Sequence, residues 1–538
     1  MGTHVGAIGH RTARKSEGLA TARGWFWSRS LSWIWILGLG LALLTPGVAD
    51  KSGEPNEVLV VVLDGLRPEY ITPEFMPRLH ALGERGVVAE RHHAVFPTVT
   101  RVNAASLATG ATPGRHGLLH NTIHLPEVQP ESFSSANLSL LKRTDEITGG
   151  RLLTATSLGE QMAEHGLRLW ALGSCGNGTA FLLNHRLTGH GSASARGFVA
   201  PDSSKELILA KTGPFPPPPQ EPPARAINQW AVDAFLRVGL EDFRPHATIL
   251  WITDPDYTTH REGVGAPLVM EAVRHVDQEL GRLLDGIRQH GLENRINVFV
   301  TTDHGFSTLT RELYPEEAVA ASGIDPDSYH VVPTRGKVYV RDSDRKTIQT
   351  IVRTLQRNEL VGAIFTRGQN PGGHLGTVPG TLSLASVDYH HDRSPDILFD
   401  ATWNSEVNEH GFAGHTTQSR YPANHGTSSP FDIGIHLLAA GPDLKKGLRS
   451  QTPTGNIDLA PTICHLLGIP PADSMEGRVL SELLAGGPDP LDIPVGTSVH
   501  SASTQVGETG ITYEVRIHRF EVGGTSYLHR TEAERTRF

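Results

Sequence analysis

The stretch Val58–Leu63 (VLVVVL), which runs directly into Asp64-Gly65, decides the fold. Three further runs are as continuously apolar: Ala247–Ile252 (ATILWI), Ile296–Thr301 (INVFVT) and Ile433–Ala440 (IGIHLLAA). Successive side chains of a strand point to opposite faces, so an unbroken apolar run predicts a central strand that is covered on both faces. Pro267 opens a helical pattern between the second and third runs. We therefore expect an α/β fold with a mostly parallel sheet flanked by helices.

The composition excludes several classes of protein. The 538 residues include 48 basic and 57 acidic side chains, and the net charge of -9 argues against a nucleic-acid partner. Two cysteines, Cys175 and Cys464, are too few for a disulfide framework or a thiolate zinc cluster, and nothing in the sequence indicates that their sulfurs meet. Any metal site must therefore be built from imidazoles and carboxylates.

Residues 1–49 have the pattern of an export signal. A stretch rich in arginine precedes the apolar run Leu31–Leu44 (LSWIWILGLGLALL), and the small residues Gly47-Val48-Ala49 follow it. This run is shorter than the roughly 20 residues that span a bilayer. We expect cleavage after Ala49 and a periplasmic or secreted protein. An uncleaved N-terminal anchor is the alternative, and only in that case is the protein tethered to a membrane.

Interruptions in the alternation of apolar runs and helical segments predict the domain organisation. We expect the first part of a catalytic α/β core over residues 50–324, an inserted subdomain or lid over 325–420, the completion of the core over 421–485 and a C-terminal extension over 486–538. The insertion carries a short strand at Lys337–Val340, a helix near Arg345–Asn358 and a long loop rich in glycine and histidine. In the extension, apolar and polar residues alternate on both sides of Gly523-Gly524, which predicts a β-hairpin.

Acidic and imidazole side chains follow the first three apolar runs. They are Asp64, then Asp254 and Asp256 with His260, then Asp303 and His304. Ligands of an open α/β sheet bind beyond the carboxyl ends of its strands, so these side chains are expected to lie close together. Carboxylate oxygens and imidazoles in a chain without thiolate clusters are typical of a site for zinc or a similar divalent ion.

A further imidazole precedes the fourth run. His425 lies in Asn424–Thr427 (NHGT), and His415 in Gly414–Thr416 (GHT) competes for the same role, because spacing alone does not decide between them. A site with two metal ions needs about six to eight protein ligands, and a hydroxyl would then bridge to the substrate.

Two threonines are candidates for that hydroxyl. Thr98 and Thr100 lie in Phe96–Asn103 (FPTVTRVN), just before a run of small residues that predicts the start of a helix. The dipole at a helix N-terminus favours an alkoxide and a phosphoryl oxygen. A hydroxyl needs activation by a metal or a base, and without metal ions the two threonines would be helix caps.

With these residues assembled, the chain resembles the type I phosphodiesterase/nucleotide pyrophosphatase family of the alkaline-phosphatase superfamily. The resemblance extends from about Val58 to Leu484 and its motifs occur in the family's order: Val61–Gly65 (VVLDG), Phe96–Thr100 (FPTVT) with Asn103, Thr109–Asn121, Pro255-Asp256 with His260, Asp303–Gly305 (DHG) and His425-Gly426. It implies an alkaline-phosphatase-like fold. It also implies a metal-dependent enzyme that hydrolyses phosphate diesters or pyrophosphates, with a small-molecule phosphoester or a nucleotide as substrate, and the N-terminal signal predicts that this enzyme is exported.

Carried over position by position, the resemblance implies a role for each site residue. Thr100 is then the nucleophile, and the motifs select Asp256 over Asp254 and His425 over His415. The implied cofactors are two divalent ions, with zinc preferred over manganese or iron. One ion is held by Asp256, His260 and His425, and the other by Asp64, Thr100, Asp303 and His304. Asn121 and the backbone N–H of Thr100 would donate to a phosphoryl oxygen, and hydrolysis would pass through a phosphothreonine intermediate.

Arg101 departs from the family pattern. Animal members usually have an aromatic residue after the nucleophile, whereas this chain has Arg101. An arginine that points into the site would bind a phosphoryl or carboxylate oxygen and favour a small or doubly charged substrate, and one that points away is a solvated charge. The alternative function is therefore a phosphomonoesterase or phosphonate hydrolase on the same scaffold.

Overall fold

The computed structural model describes residues 55–333, 336–370, 372–418, 421–508 and 510–537. The predicted export signal, residues 1–49, lies outside the described residues. None of the helices within the described ranges combines the length and the apolar character that a bilayer-crossing segment requires.

Strands and short helices alternate along the described chain. The strands are β1 (Glu57–Leu63), β2 (Val87–His93), β3 (Thr122–Ile123), β4 (Phe133–Ser134), β5 (Leu169–Gly173), β6 (Gly191–Ser194), β7 (Phe198–Ala200), β8 (Ala247–Ile252), β9 (Ile296–Thr301), β10 (Ser307–Leu313), β11 (Tyr329–Val331), β12 (Lys337–Val340), β13 (Val361–Thr366), β14 (Leu382–Ser383), β15 (Ile397–Ala401), β16 (Trp403–Val407), β17 (Ala413–Gln418), β18 (Ala423–Asn424), β19 (Gly434–Ala440), β20 (Leu448–Ser450), β21 (Thr454–Gly455), β22 (Gly496–Gln505), β23 (Ile511–Val522) and β24 (Thr525–Arg537). The α-helices are α1 (Pro77–Arg85), α2 (Thr100–Thr109), α3 (Pro113–His116), α4 (Leu138–Ile147), α5 (Leu158–Glu164), α6 (Asn177–Leu183), α7 (Lys205–Thr212), α8 (Arg225–Ala234), α9 (Asp256–Glu262), α10 (Pro267–Gln289), α11 (Pro315–Ala320), α12 (Arg345–Arg357), α13 (Pro430–Ile433) and α14 (Leu459–Leu466).

A ten-stranded sheet forms the centre of the described structure. Its order is β20-β2-β19-β9-β1-β8-β5-β6-β7, and β21 pairs with β2. The pairs β9–β1, β1–β8, β8–β5 and β5–β6 are parallel, whereas β19 is antiparallel to both of its neighbours and β7 is antiparallel to β6. The predicted mostly parallel α/β sheet is therefore confirmed.

Helices cover this sheet on both faces, which explains the unbroken apolar runs. In β1, Val58, Val60 and Val62 belong to one buried cluster, while Leu59, Val61 and Leu63 belong to another. The first cluster includes side chains of α2, α6 and α14, and the second includes side chains of α1, α8 and α10. Each strand residue is therefore buried whichever face it points to.

The fourth apolar run forms β19, which runs against the direction of β9. The pairing of Leu438 with Val300 and of Ala440 with Val298 sets this antiparallel register. As a result, β19 begins at the edge of the sheet where β9 ends. The segment that precedes β19 therefore lies at the same edge as the residues that follow β1, β8 and β9.

Two further sheets lie in and around the predicted insertion. Strands β11-β12-β15-β13-β14 form a five-stranded sheet, and β16-β17-β10-β18 form a four-stranded one. The predicted strand Lys337–Val340 is β12, and α12 ends at Arg357, one residue before the predicted end. The stretch expected as a long loop differs from the prediction, because it pairs as β14, β15, β16 and β17.

The predicted C-terminal hairpin is present as β23 and β24, and β22 adds a third strand. This sheet contacts the segment between β18 and β19. The backbone N–H of Thr531 donates to the carbonyl of Ser428 at 3.2 Å, and the two hydroxyl oxygens lie 2.5 Å apart. Cys175 and Cys464 are both buried and both free.

Candidate metal centre and active site

The six predicted carboxylate and imidazole ligands meet at one edge of the ten-stranded sheet. They are Asp64 after β1, Asp256 and His260 on α9 after β8, Asp303 and His304 after β9, and His425 between β18 and β19. Three of these positions follow parallel strands. The fourth precedes the antiparallel β19, which brings it to the same edge.

Asp256, His260 and His425 form the first group of candidate ligands. Asp256 is the first residue of α9 and His260 lies one turn later, so both side chains lie on one face of the helix. Asp256 Oδ1 is 3.4 Å from His260 Nε2 and 3.4 Å from His425 Nε2. The two Nε2 atoms are 3.2 Å apart. These three ligand atoms can therefore face a single ion.

The second group surrounds His304. Its Nε2 atom lies 3.5 Å from Asp64 Oδ1, 3.1 Å from Asp303 Oδ2 and 3.5 Å from Thr100 Oγ1. The two groups adjoin each other, because Asp256 Oδ1 is only 3.9 Å from His304 Nε2.

Three carboxylate oxygens in the cluster are buried without a hydrogen-bond partner: Asp64 Oδ1, Asp256 Oδ1 and Asp303 Oδ2. The opposite oxygen of Asp64 accepts from Trp251 Nε1 at 2.8 Å, and that of Asp303 accepts from the backbone N–H of Gly65 at 3.2 Å. A buried acceptor without a partner costs about 1–3 kcal/mol. Hard oxygens and imidazole nitrogens aimed at one space fit divalent metal ions.

Each imidazole turns its Nδ1 atom towards a backbone carbonyl. The pairs are His260 with Ala423 at 3.2 Å, His304 with Gly305 at 3.0 Å and His425 with Thr98 at 2.7 Å. A carbonyl oxygen only accepts, so in the neutral ring Nδ1 carries the proton and Nε2 presents its lone pair. This is the arrangement in which histidine ligates a metal ion through Nε2.

The crowded charges shift the ionisation of the cluster. Burial raises the pKa of Asp64 well above its usual range, and the charges of Asp303 and Asp256 raise it further. Burial alone would raise the pKa of Asp256 too, but His260 and His425 outweigh it and hold that pKa well below its usual range. Burial, with the charge of His304, lowers the pKa of His425 to about 3. A neutral His425 beside the carboxylate of Asp256 is typical of a cation site.

Gly65 allows the loops that carry these ligands to pack closely. Its φ is +69°, and a Cβ atom there would lie 2.5 Å from the ring of Phe306 and 3.0 Å from Asp256 Cβ. The backbone N–H of Asp256 donates to the carbonyl of Asp64 at 2.9 Å. Glycine is therefore needed directly after Asp64, because the side chain of a larger residue would push Asp64 and Asp256 apart.

The surroundings of Thr98 and Thr100 differ. Thr100 is the first residue of α2, and its hydroxyl faces His304. The hydroxyl of Thr98 instead donates to the carbonyl of Thr427 at 2.8 Å and accepts from the N–H of Gly426 at 3.0 Å. Thr98 thus fastens the loop before α2 to the segment that carries His425, and of the two threonine hydroxyls it is that of Thr100 that faces the ligand cluster.

Asn121 and Arg101 lie together beside the first turn of α2. Asn121 Oδ1 accepts from the backbone N–H of Arg101 at 3.0 Å, so the amide nitrogen faces the opposite way. Arg101 Nε donates to Ser135 Oγ at 2.8 Å, and that hydroxyl donates to the carbonyl of Asn121 at 2.9 Å. The side chain of Arg101 therefore follows the segment that carries Asn121.

The two competing residues, Asp254 and His415, lie outside the ligand cluster. Asp254 accepts at 2.8 Å from the backbone N–H of Ala224, at 2.8 Å from Asn228 Nδ2 and at 2.8 Å from Thr258 Oγ1. His415 lies on β17 with its Nδ1 atom 3.5 Å from a carboxylate oxygen of Glu406. Among the described residues, the side chains close enough to share a metal ion are Asp256, His260 and His425 in one group and Asp64, Asp256 and His304 in another, and neither Asp254 nor His415 is among them.

Sequence reasoning missed the residues that hold the ligand loops in place. Asp432 Oδ1 accepts from Ser307 Oγ at 2.6 Å, and its Oδ2 accepts from the backbone N–H and the hydroxyl of Thr427 at 3.0 and 2.6 Å. Asp432 thereby joins the segment after His304 to the segment after His425. The available signal was an aspartate directly before the apolar run Ile433–Ala440. Trp251 gave no signal, because it lies inside an apolar run.

Comparisons with known proteins identify the family of the chain. The family model of type I phosphodiesterase/nucleotide pyrophosphatase matches residues 58–426. Human ectonucleotide pyrophosphatase/phosphodiesterase family member 7 is 28% identical over 451 residues, which are 80% of this chain and 84% of that protein. The bis(5'-adenosyl)-triphosphatase ENPP4 of Pongo abelii is 23% identical over 435 residues, 80% of this chain and 82% of that protein.

Solved structures show the same fold. Human ectonucleotide pyrophosphatase/phosphodiesterase 5 superposes with a TM-score of 0.58 at 19% identity, over 80% of this chain and 99% of that one. An inactive variant of the murine protein in complex with AMP gives a TM-score of 0.55 at 20% identity, over 80% of this chain and 100% of that one. The family model covers more than half of the chain, and this protein therefore belongs to the type I phosphodiesterase/nucleotide pyrophosphatase family of phosphoric ester hydrolases.

Proposed function

We propose that the protein is an exported phosphodiesterase or nucleotide pyrophosphatase that hydrolyses phosphate diesters or pyrophosphates at a centre with two zinc ions. One observation carries the proposal. The hydroxyl of Thr100 lies 3.5 Å from an imidazole nitrogen that is itself surrounded by carboxylate oxygens without partners. A nucleophile and the ligands that would activate it are thus placed side by side.

The two groups of side chains would hold one ion each. Asp256, His260 and His425 form the first set, and Asp64, Thr100, Asp303 and His304 form the second. When bound, the ions supply Lewis acidity, which lowers the pKa of the Thr100 hydroxyl and of the hydrolytic water and neutralises charge on the phosphoryl oxygens.

Thr100 is the proposed nucleophile of a two-step reaction. In the first step a bond forms between Thr100 Oγ1 and phosphorus while the bond from phosphorus to the leaving oxygen breaks, and the leaving group departs with a proton. In the second step water attacks the phosphothreonine, the Oγ1–phosphorus bond breaks and the hydroxyl of Thr100 is restored. The position of Thr100 at the start of α2 favours negative charge on the reacting oxygens.

Asn121 and Arg101 are the proposed substrate-binding residues. Because Oδ1 of Asn121 is occupied by the backbone N–H of Arg101, the amide nitrogen is the atom that would donate to a non-bridging phosphoryl oxygen. A nucleotide substrate is supported by the AMP complex of the murine relative. The guanidinium of Arg101, anchored on Ser135, favours the alternative of a phosphomonoesterase or phosphonate hydrolase, because a doubly charged substrate gains most from a nearby cation.

Export is proposed from the N-terminal pattern and from the relatives. Residues 1–49 combine basic, apolar and small-residue segments in the order of a signal peptide. A curated relative is named an ectonucleotide enzyme, which agrees with an enzyme outside the cytoplasm. The proposed location is periplasmic or secreted.

The test compares a phosphodiester with a phosphomonoester. The purified protein is analysed for bound metals, and its hydrolysis of thymidine 5'-monophosphate p-nitrophenyl ester and of p-nitrophenyl phosphate is measured with and without chelator. Preference for the diester that chelator abolishes supports the proposal. Preference for the monoester supports the alternative function, a phosphomonoesterase or phosphonate hydrolase. Inactivity on both substrates with metals bound contradicts the proposed function.

A further inference from the structure

The carboxylate and imidazole ligands differ in their exposure. The side chains of Asp256 and His260 retain 16% and 18% of their exposure, whereas those of Asp64, Asp303 and His304 retain 4%, 0% and 0%. Asp256 and His260 therefore form the open side of this ligand set.

The position of Thr100 sets the direction in which a leaving group departs. Its hydroxyl lies on the His304 side of the cluster, at 3.5 Å from Nε2. In phosphoryl transfer the attacking and leaving oxygens lie roughly in line on opposite sides of phosphorus. With Thr100 as the attacking group, the leaving oxygen points towards the open side, where His260 lies.

Tyr421 stands on that open side. Its ring centroid is 4.8 Å from that of His260, with 48° between the ring planes, and the side chain is 47% exposed. The backbone that follows is held firmly, because the carbonyl of Pro422 accepts from the N–H of Leu309 at 2.9 Å and the carbonyl of Ala423 faces His260 Nδ1 at 3.2 Å. The chain directly after Tyr421 is thus anchored, and the exposed ring lies beside a candidate ligand.

We infer that Tyr421 selects the leaving group of a phosphodiester, by stacking on the aryl ring or the nucleobase that the departing phenol or nucleoside carries. This inference rests on the proposed function, because the direction of departure follows from Thr100 as the nucleophile. The group that stays on phosphorus meets a different surface, since Arg101 lies along the Asn121 segment and is bonded to Ser135. The two substituents of one diester are therefore recognised by an aromatic and a cationic side chain respectively.

The test uses two diesters that share thymidine 5'-phosphate and differ in the leaving group. One carries phenol and the other carries trifluoroethanol, a non-planar alcohol that also leaves readily. Stacking of two rings predicts that Tyr421→Ala raises KM for the phenyl ester about threefold to tenfold with little change in kcat. KM for the trifluoroethyl ester is expected to stay within about twofold, and Tyr421→Phe is expected to behave as wild type on both. Tyr314→Ala, which removes another exposed tyrosine, is the matched control.

A second readout does not depend on turnover. In a Thr100→Ala background, calorimetry gives the dissociation constant of the phenyl ester with and without Tyr421→Ala, and the same weakening of about threefold to tenfold is expected. Three outcomes would overturn the inference. Tyr421→Ala could raise KM equally for both esters, it could lose bound metal, or it could leave both KM and the dissociation constant of the phenyl ester unchanged. If wild type hydrolyses neither ester, the proposed function fails and the inference falls with it.

Discussion

The Nε2 atoms of His260 and His425 lie 3.2 Å apart, and each of these imidazoles turns its Nδ1 atom to a backbone carbonyl. Two lone pairs therefore face each other across a short distance, next to an unpartnered oxygen of Asp256. A cation between them removes this repulsion, and the first prediction follows from that geometry.

His425→Ala should remove one metal equivalent, because it deletes one of the three ligand atoms of the first group. Metal analysis after dialysis measures the loss. His415→Ala is the control and should retain the full metal content, since His415 faces Glu406 on another sheet. Chelator should also destabilise wild type, by about 2.7 kcal/mol for a metal present at one hundred times its dissociation constant. Equal metal contents in both variants would contradict the assignment.

Thr100→Ala should abolish turnover while metals stay bound. Loss of a nucleophile lowers kcat by about 10⁴-fold or more. Thr98→Ala should keep activity within about tenfold but lower the free energy of unfolding by about 1–2 kcal/mol, because it removes the bonds to Thr427 and Gly426. Steady-state kinetics and urea unfolding separate the two effects, and an active Thr100→Ala variant would refute the nucleophile.

Asp254→Asn and Asp256→Asn should have opposite consequences for stability and for metal content. Asp254 accepts three hydrogen bonds in the interior, so its variant should lose about 1–3 kcal/mol of stability yet keep its metals. Asp256 has an oxygen without a hydrogen-bond partner, so its variant should lose metal. In the presence of chelator, the unfolding curve of this variant should match that of wild type. Unfolding curves and metal analysis of the two proteins check this contrast.

Asp432→Asn should weaken metal binding although Asp432 is not a ligand. Its carboxylate joins Ser307 to Thr427, and an amide cannot accept all of these bonds. Loss of such support typically costs about tenfold to one-hundredfold in metal affinity. Asp443→Asn is the control, because Asp443 likewise joins two distant side chains, Asn56 and Asn297, at the opposite edge of the sheet. Metal titrations that give equal affinities for both variants would disprove the role.

Asp400 should make stability depend on pH. Burial raises its pKa to about 7, although hydrogen bonds from Ser428 act against this. The unfolded pKa is about 3.9, so between about pH 4 and 7 the folded state binds more protons and stability falls as the pH rises. Full ionisation costs on the order of 4 kcal/mol. Asp400→Asn should flatten this decline in urea unfolding with chelator present, and parallel curves for the two proteins would count against the buried charge.

The strands of the central sheet could be predicted because burial on both faces leaves an unmistakable apolar run. Strands β8 and β9 match their predicted runs, and β1 and β19 differ at one end by a single residue. The direction of β19 could not be predicted, since parallel and antiparallel central strands carry the same apolar pattern. Strand β22 left no signal either, because its residues Gly496–Gln505 are mostly polar and half exposed.

The family motifs selected among the candidate site residues, but residue types and spacing alone could not, because the physical distinction depends on partners that are distant in the sequence. Thr98 is distinguished from Thr100 by a bond to Thr427, 329 residues away. Asp254 is distinguished from Asp256 by bonds to residues 26 and 30 positions away, outside any local motif. Residue types and strand ends therefore indicated a metal-dependent chemistry, and the packing of distant loops supplied the roles of the supporting residues.

The contact between Ser428 and Thr531 has a consequence for how the protein folds. These residues are 103 positions apart, and they fasten the C-terminal sheet to the segment that carries His425. Contacts between distant segments form late, because closing a long loop costs entropy before the contacts add any stability. We therefore expect the centre to reach its final geometry only after the C-terminal sheet has docked. Metal uptake during refolding would report the completion of the whole tertiary structure and not of the central sheet alone.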